Sequence, residues 1–225
     1  MNLICVFSII CCSLNLIAYP SSTLTSNVIS ERECATTSEY VQIAQDMIES
    51  CEIAYDPIGL FLALTSTKLL QNLLGECCNT ASDEIITCFV HNGCNLNKKI
   101  NTAQFTTLIF GECSDRGEEF IKKLGHSTTL LRIWIEFNEE HIVESLIQHG
   151  AIVSKQDLEF VAQEYLQLEQ ELKRSAQQKD SVVCLQYSIA SMRTILKTIY
   201  AASDKQSQKK FRSKHPSLAN IVTQS

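Results

Sequence analysis

The chain has 225 residues, 45% of them hydrophobic, which suffices for one core of ordinary size or a short array of stacked units. Only 7 Gly and 3 Pro are present, too few for a β-rich fold full of tight turns, and the prediction is an all-α protein. The net charge of −6 argues against general nucleic-acid binding, because phosphate attraction needs clustered positive charge.

The first segment, MNLICVFSIICCSLNLIAYPSS, is apolar from Leu3 to Tyr19. Residues 1–19 read as a secretory signal peptide, with small residues between Ala18 and Ser22 where cleavage can fall. No Lys or Arg precedes the apolar run, and Leu16 stands where a small residue favours cleavage after Ala18. The competing reading is a short membrane anchor, although seventeen residues is at the lower edge for spanning. Contact with a membrane is expected only if this segment is retained.

Removal of the leader takes Cys5, Cys11 and Cys12 with it and leaves eight of the 11 cysteines. An even number in an exported chain permits disulfides. Their spacing is irregular, however, and a chain of this length needs no staples, so some are expected to be small buried hydrophobes.

Residues 20–37 form a polar linker, and helical periodicity begins after it. Val41, Ala44, Met47, Ile48 and Cys51 share one face of a helix that ends near Pro57. Ile58 to Leu74 is strongly apolar and predicts a buried helix or helix pair. Ser82, Asp83 and Glu84 predict the cap and acidic first turn of a helix that stops at Gly93. Shorter helical pieces follow at Thr106 to Cys113, Glu118 to Leu124 and Thr129 to Phe137. Asn138 with Glu139 and Glu140 then predicts a helix start, and Gly150 a stop. Residues 158–202 read as a hairpin of two long amphipathic helices. The end, residues 203–225, carries Lys205, Lys209, Lys210, Arg212 and Lys214 against Asp204, about +4, and reads as a basic flexible tail. The preceding body then carries about −10.

Two of these stretches repeat one phrase 57 positions apart, DEIITCFVHNGCNLNKK from Asp83 and EHIVESLIQHGAIVSKQ from Glu140. Ile85 pairs with Ile142, Ile86 with Val143, Phe89 with Leu146, Val90 with Ile147, and Gly93 with Gly150. Cys94 then pairs with Ala151 and Leu96 with Val153. Each copy makes one helix with two apolar pairs a turn apart, a glycine stop and a polar loop. Such a helix cannot bury its face alone and needs a neighbouring unit.

On these residues the helical region 38–157 resembles the ankyrin repeat in degenerate form over roughly Ile58 to Asp157, less than half the chain. Thr129, Leu131, Ile142, Val143, Leu146, Ile147, Gly150 and Ala151 fall on that frame without a gap. Leu74, Ile85, Ile86, Phe89, Val90 and Gly93 fit it too, with Asn72 in place of the opening threonine. A third opening, Thr106-Thr107-Leu108, lies 34 residues after Asn72, near the family period of about 33. No proline follows any of the threonines, and only 23 residues separate Thr106 from Thr129, so the middle unit is short. The resemblance implies a short helical stack, capped by the long hairpin, that binds a protein partner through loops and first helices. It places the partner-binding residues at Asn97, Lys98, Lys99 and Lys155.

Little else points to chemistry. Cys88, His91 and Cys94 have metal-ligand types at three-residue spacing, which defines a metal or redox rival reading. The second copy has Ser145, Gln148 and Ala151 at those positions, and no second Cys-x-x-Cys completes a site. No phosphate-cradling glycine loop, Gly-x-Ser-x-Gly elbow, His-Glu-x-x-His pair or dinucleotide fingerprint occurs. The expectation is a protein without enzymatic activity, cofactor or resident metal.

Overall fold

The structure, a computed structural model, describes residues 54–74, 80–111, 114–175 and 179–223. The leader, the linker and the helix read at Val41 to Cys51 lie outside the described residues. Ten helices and one two-residue antiparallel bridge make up the described chain, so it is all-α. It divides into two compact units, one ending at Thr128 and one beginning at Thr129.

In the first unit α1 (Pro57–Leu74) packs against α2 (Thr80–His91). Pro57 occupies the first turn, where a missing N–H costs nothing, and Asp56 caps the helix. Its Oδ1 accepts from the N–H groups of Ile58 (3.0 Å) and Gly59 (2.8 Å). Strand β1 (Ile100–Asn101) then leads into α3 (Thr102–Phe110), which packs against α4 (Asp115–Leu124). Strand β2 (Ser127–Thr128) returns beside β1, with Ile100 opposite Thr128. Leu60, Leu64, Ile85, Ile86, Phe89, Phe105 and Ile109 are the buried core. Phe105 ties it together, edge-on to Phe61 at 4.8 Å and stacked on Phe120 at 5.8 Å.

In the second unit α5 (Leu130–Glu136) and α6 (Glu140–Gln148) pack together across a short turn. The long helices α7 (Lys155–Arg174) and α8 (Lys179–Ala202) pair as a hairpin, and α8 also covers α6. Two more helices follow, α9 (Lys205–Lys214) against α7 and α10 (Pro216–Thr223) against α8.

Several expectations change here. Residues 205–223 are helical and packed, not a flexible tail, because Phe211 is only 1% exposed and Leu218 is also buried. The boundary read at 157/158 falls inside α7, whose cap is Ser154. Asn138 does not cap α6; it adopts φ 58° and ends α5 instead. Its backbone N–H donates to the carbonyl of Ile135, and that of Glu139 to Trp134. Thr106 opens no unit. It is buried inside α3, which Asn101 caps by accepting from the Gln104 N–H (3.1 Å). Ser82 likewise lies inside α2, which begins at Thr80.

The helix and the glycine stop of the doubled phrase fold the same way in both units. At the first glycine, Gly93 N–H donates to Val90 O and Cys94 N–H to Phe89 O (3.0 and 2.9 Å). At the second, Gly150 N–H donates to Ile147 O and Ala151 N–H to Leu146 O (3.1 and 2.9 Å). These paired bonds form a Schellman stop, which requires a left-handed residue at the glycine. The φ values are 88° and 96°. Cys94 and Ala151, the residues that follow, are each 7% exposed.

A Cβ placed at Gly93 or Gly150 meets nothing within 4 Å, so substitution there costs only backbone strain. Gly93→Ala and Gly150→Ala should each destabilise the protein by about 1–2 kcal/mol, with the asparagine variants losing less. Urea unfolding of the four variants measures this. Equal stability of an alanine variant and the parent would show that the stop carries no strain.

Candidate functional site

The loop after the first glycine stop is a fixed structure. Leu96 and Ile100 are buried on either side of its polar residues. Asn95 shapes the turn between them, its Oδ1 accepting from Asn97 N–H and its carbonyl from Lys98 N–H, both at 3.0 Å. Asn97 is half-buried, whereas Lys98 and Lys99 are exposed. These three of the predicted binding residues therefore share one short loop of the first unit.

Lys155 belongs to the second unit, and the structure makes it the first residue of α7 rather than part of a free loop. The start of α7 is held by a reciprocal capping box. Ser154 N–H and Oγ–H both donate to Asp157 Oδ2 (2.8 and 2.5 Å), and Asp157 N–H donates back to Ser154 Oγ (3.2 Å). Arg132 of α5 reaches the other carboxylate oxygen, with Nη2 at 2.7 Å and Nε at 2.8 Å from Oδ1. Asp157 is 3% exposed, so its charge is buried and fully engaged. The Arg132 guanidinium also lies over the Phe160 ring, 5.7 Å from its centre.

Around this node runs an open groove lined by Arg132, Lys155, Gln156, Glu159, Phe160 and Gln163. Of these, only Lys155 was legible as a binding residue. The Ser154-Lys-Gln-Asp157 pattern is a readable helix start, but nothing in the sequence pairs Arg132 with Asp157. Ile152, two residues before Ser154 in the chain, was also missed. It is 70% exposed and takes the place that Asn95 holds in the first copy. Only the register of the two copies could have exposed that exchange of a polar for an apolar residue.

Glu159 closes the groove toward α9. Burial raises its pKa, but hydrogen bonds and charge from Lys214 Nζ (2.5 Å) and His215 Nε2 (3.2 Å) prevail and hold it below the usual carboxylate value. Both partners sit at the end of α9, some 55 residues along the chain.

Cys88, His91 and Cys94 are not assembled into a site. Among the described residues, no group of three His, Cys, Asp or Glu is placed to hold a metal ion. Burial pushes the Cys94 thiol up to about 11, with Asp56 adding to the shift and Lys98 opposing it. That is the wrong direction for a thiolate ligand or nucleophile. Cys94 and Cys184 are free thiols. Among the described residues no helix is long and apolar enough to cross a membrane. No protein-family model, curated protein or solved structure matches this chain.

Two outcomes follow from these charges. In the native protein at pH 8, Cys94 should alkylate about a hundredfold more slowly than an ordinary thiol, while exposed Cys184 reacts readily. Peptide mapping after timed iodoacetamide labelling reads both positions. For Glu159, the lowered pKa means that its stabilising contribution is complete above about pH 5 and lost as pH falls through the folded-state value. The stability gap between the parent and Glu159→Gln should therefore close on acidification. A gap independent of pH would assign the loss to packing instead.

Proposed function

We propose that this chain is an exported, non-enzymatic protein-binding scaffold of ankyrin-repeat type. The observation that carries the reading is the pair of stops at Gly93 and Gly150. Both use the same two hydrogen bonds, bury the same apolar helix positions and are followed by a small buried residue, Cys94 or Ala151. A unit that shares its packing residues and varies its loop residues is the design of a repeat scaffold. The coverage of α6 by α8 supports the reading of the long hairpin as a cap, since terminal units need a covered face.

On this reading the partner is a protein, met by Asn97, Lys98 and Lys99 in one unit and by Lys155 in the other. Ile152 adds an exposed apolar anchor of the kind that binding sites centre on. Lys98, Lys99 and Lys155 are long, exposed and cationic, which suits a complementary surface with carboxylates at its rim.

Affinity capture with the tagged parent as bait, followed by the Lys98→Glu/Lys99→Glu and Ile152→Ser/Lys155→Glu variants, tests the assignment. Each double variant should weaken capture of the parent's partner by on the order of tenfold while leaving thermal stability unchanged. Retained capture by both variants would overturn the surface. Mass spectrometry of the mature amino terminus tests export. A new terminus between Ala18 and Ser22 is expected, whereas an intact Met1 would favour a membrane-tethered protein.

A further inference from the structure

The basic end of the chain presents its charge on a fixed surface. Helix α9 is capped at its start and anchored on one side by three ties to the rest of its unit. Asp204 caps it, accepting from Gln206 N–H and Ser207 N–H (each 2.9 Å) and from Ser207 Oγ (2.7 Å). Gln208 Nε2 donates to the carbonyls of Tyr200 (2.8 Å) and Ser203 (3.0 Å). Phe211 is buried, with its ring 5.6 Å from that of Tyr200. At the far end Lys214 and His215 hold Glu159.

All the exposed residues of α9 except Gln206 and Ser213 are cationic. Lys205, Lys209 and Arg212 follow one another at helical spacing along the exposed side, and exposed Lys210 lies beside them. Asp204 is the only acid of this stretch, and its carboxylate is taken up by the cap. Lys214 is already paired with Glu159. The four remaining cations are given no carboxylate among the described residues.

From this arrangement we infer that the outer face of α9 is a docking surface for an acidic polypeptide segment of a partner protein. Three observations select that partner over other polyanions. The apolar side of the helix, Phe211, is already used inside the unit, so α9 has nothing to insert into a bilayer. No exposed aromatic side chain lies on α9 to stack nucleobases. The rest of the chain is acidic, about −10, and repels extended polyphosphates and anionic membranes while a short segment can reach the basic face alone. The helix is also ordered beforehand, so binding does not require folding a basic tail. This surface uses none of the residues assigned to the scaffold loops, so either assignment can fail without the other.

Fluorescence anisotropy with a labelled oligo-glutamate peptide and the full chain tests it. The variant Lys205→Gln/Lys209→Gln/Lys210→Gln/Arg212→Gln should bind at least about tenfold more weakly than the parent. The variant Arg116→Gln/Lys122→Gln/Lys173→Gln/Arg174→Gln, which removes the same charge from other exposed positions, should bind within about twofold of it. Glutamine preserves helix propensity at these exposed sites, and circular dichroism checks that both variants are folded. Equal loss in both variants would reduce the effect to net charge and overturn the inference. So would failure of the parent to bind the peptide, or preferential binding of short duplex DNA or phosphatidylserine vesicles.

Discussion

Short helices must be stopped and turned at defined places before they can support one another. The helices α2 to α6 contain seven to twelve residues each, lengths that are marginal in water on their own. Each holds because it packs on a neighbour, and the packing is possible only if the chain reverses at once. Left-handed residues make two of the stops that matter most, Gly93 and Gly150, and Asn138 makes a third with the same bond pattern. Asn138 also ties its turn to the long hairpin, its side-chain amide donating to Ser188 O (3.1 Å) and its carbonyl accepting from Ser191 Oγ (3.0 Å). A glycine there would keep the turn and lose the first of these ties.

In the second unit the turns feed a network of buried charge. Asp157 serves at once as the capping acid of α7 and as the partner of Arg132 from α5. A buried carboxylate is costly unless its oxygens are all engaged, and here each oxygen meets two donors. The arrangement fixes where α7 begins relative to α5, and with it the register of Lys155 and Phe160 in the groove. Two residues further on, Glu159 performs the same office for the end of α9. One turn of α7 thereby positions elements that precede it and follow it in the chain.

The parts of this fold legible in the sequence are those written by local rules. Apolar periodicity marked α1, α2, α6, α7 and α8, and glycines marked the two repeated stops. The register of the doubled phrase matched the burial of Ile85 with Ile142, Ile86 with Val143, and Phe89 with Leu146. The misread parts depend on partners far away in the chain. Residues 205–214 contain one large apolar side chain, Phe211, among lysines and polar residues, which gives no periodicity to read. Their order comes from Tyr200 and Glu159, neither of which the segment itself announces. Asn138 was ambiguous for a different reason, because asparagine suits both a helix cap and a left-handed turn. The candidate surfaces were half legible: charged loop residues stand out, whereas Arg132 is committed by an aspartate twenty-five residues later and Ile152 is marked only by comparison with Asn95.

The two copies of the repeated phrase separate what folds the unit from what distinguishes it. Positions that pack the helix and reverse the chain are kept in kind, down to a small buried residue after each glycine. Cys94 fills that place in one copy and Ala151 in the other, and the raised pKa of Cys94 makes the thiol behave as the small hydrophobe that alanine is. Burial thus sets Cys94 apart from the other two residues of its pattern, since Cys88 is half-buried and His91 is exposed. Divergence then remains in the segments after the stops, where in register Asn95 corresponds to Ile152 and a lysine-bearing loop to the capped start of α7. The exposed residues of those segments, Lys98, Lys99, Ile152 and Lys155, can change without cost to the helices beneath.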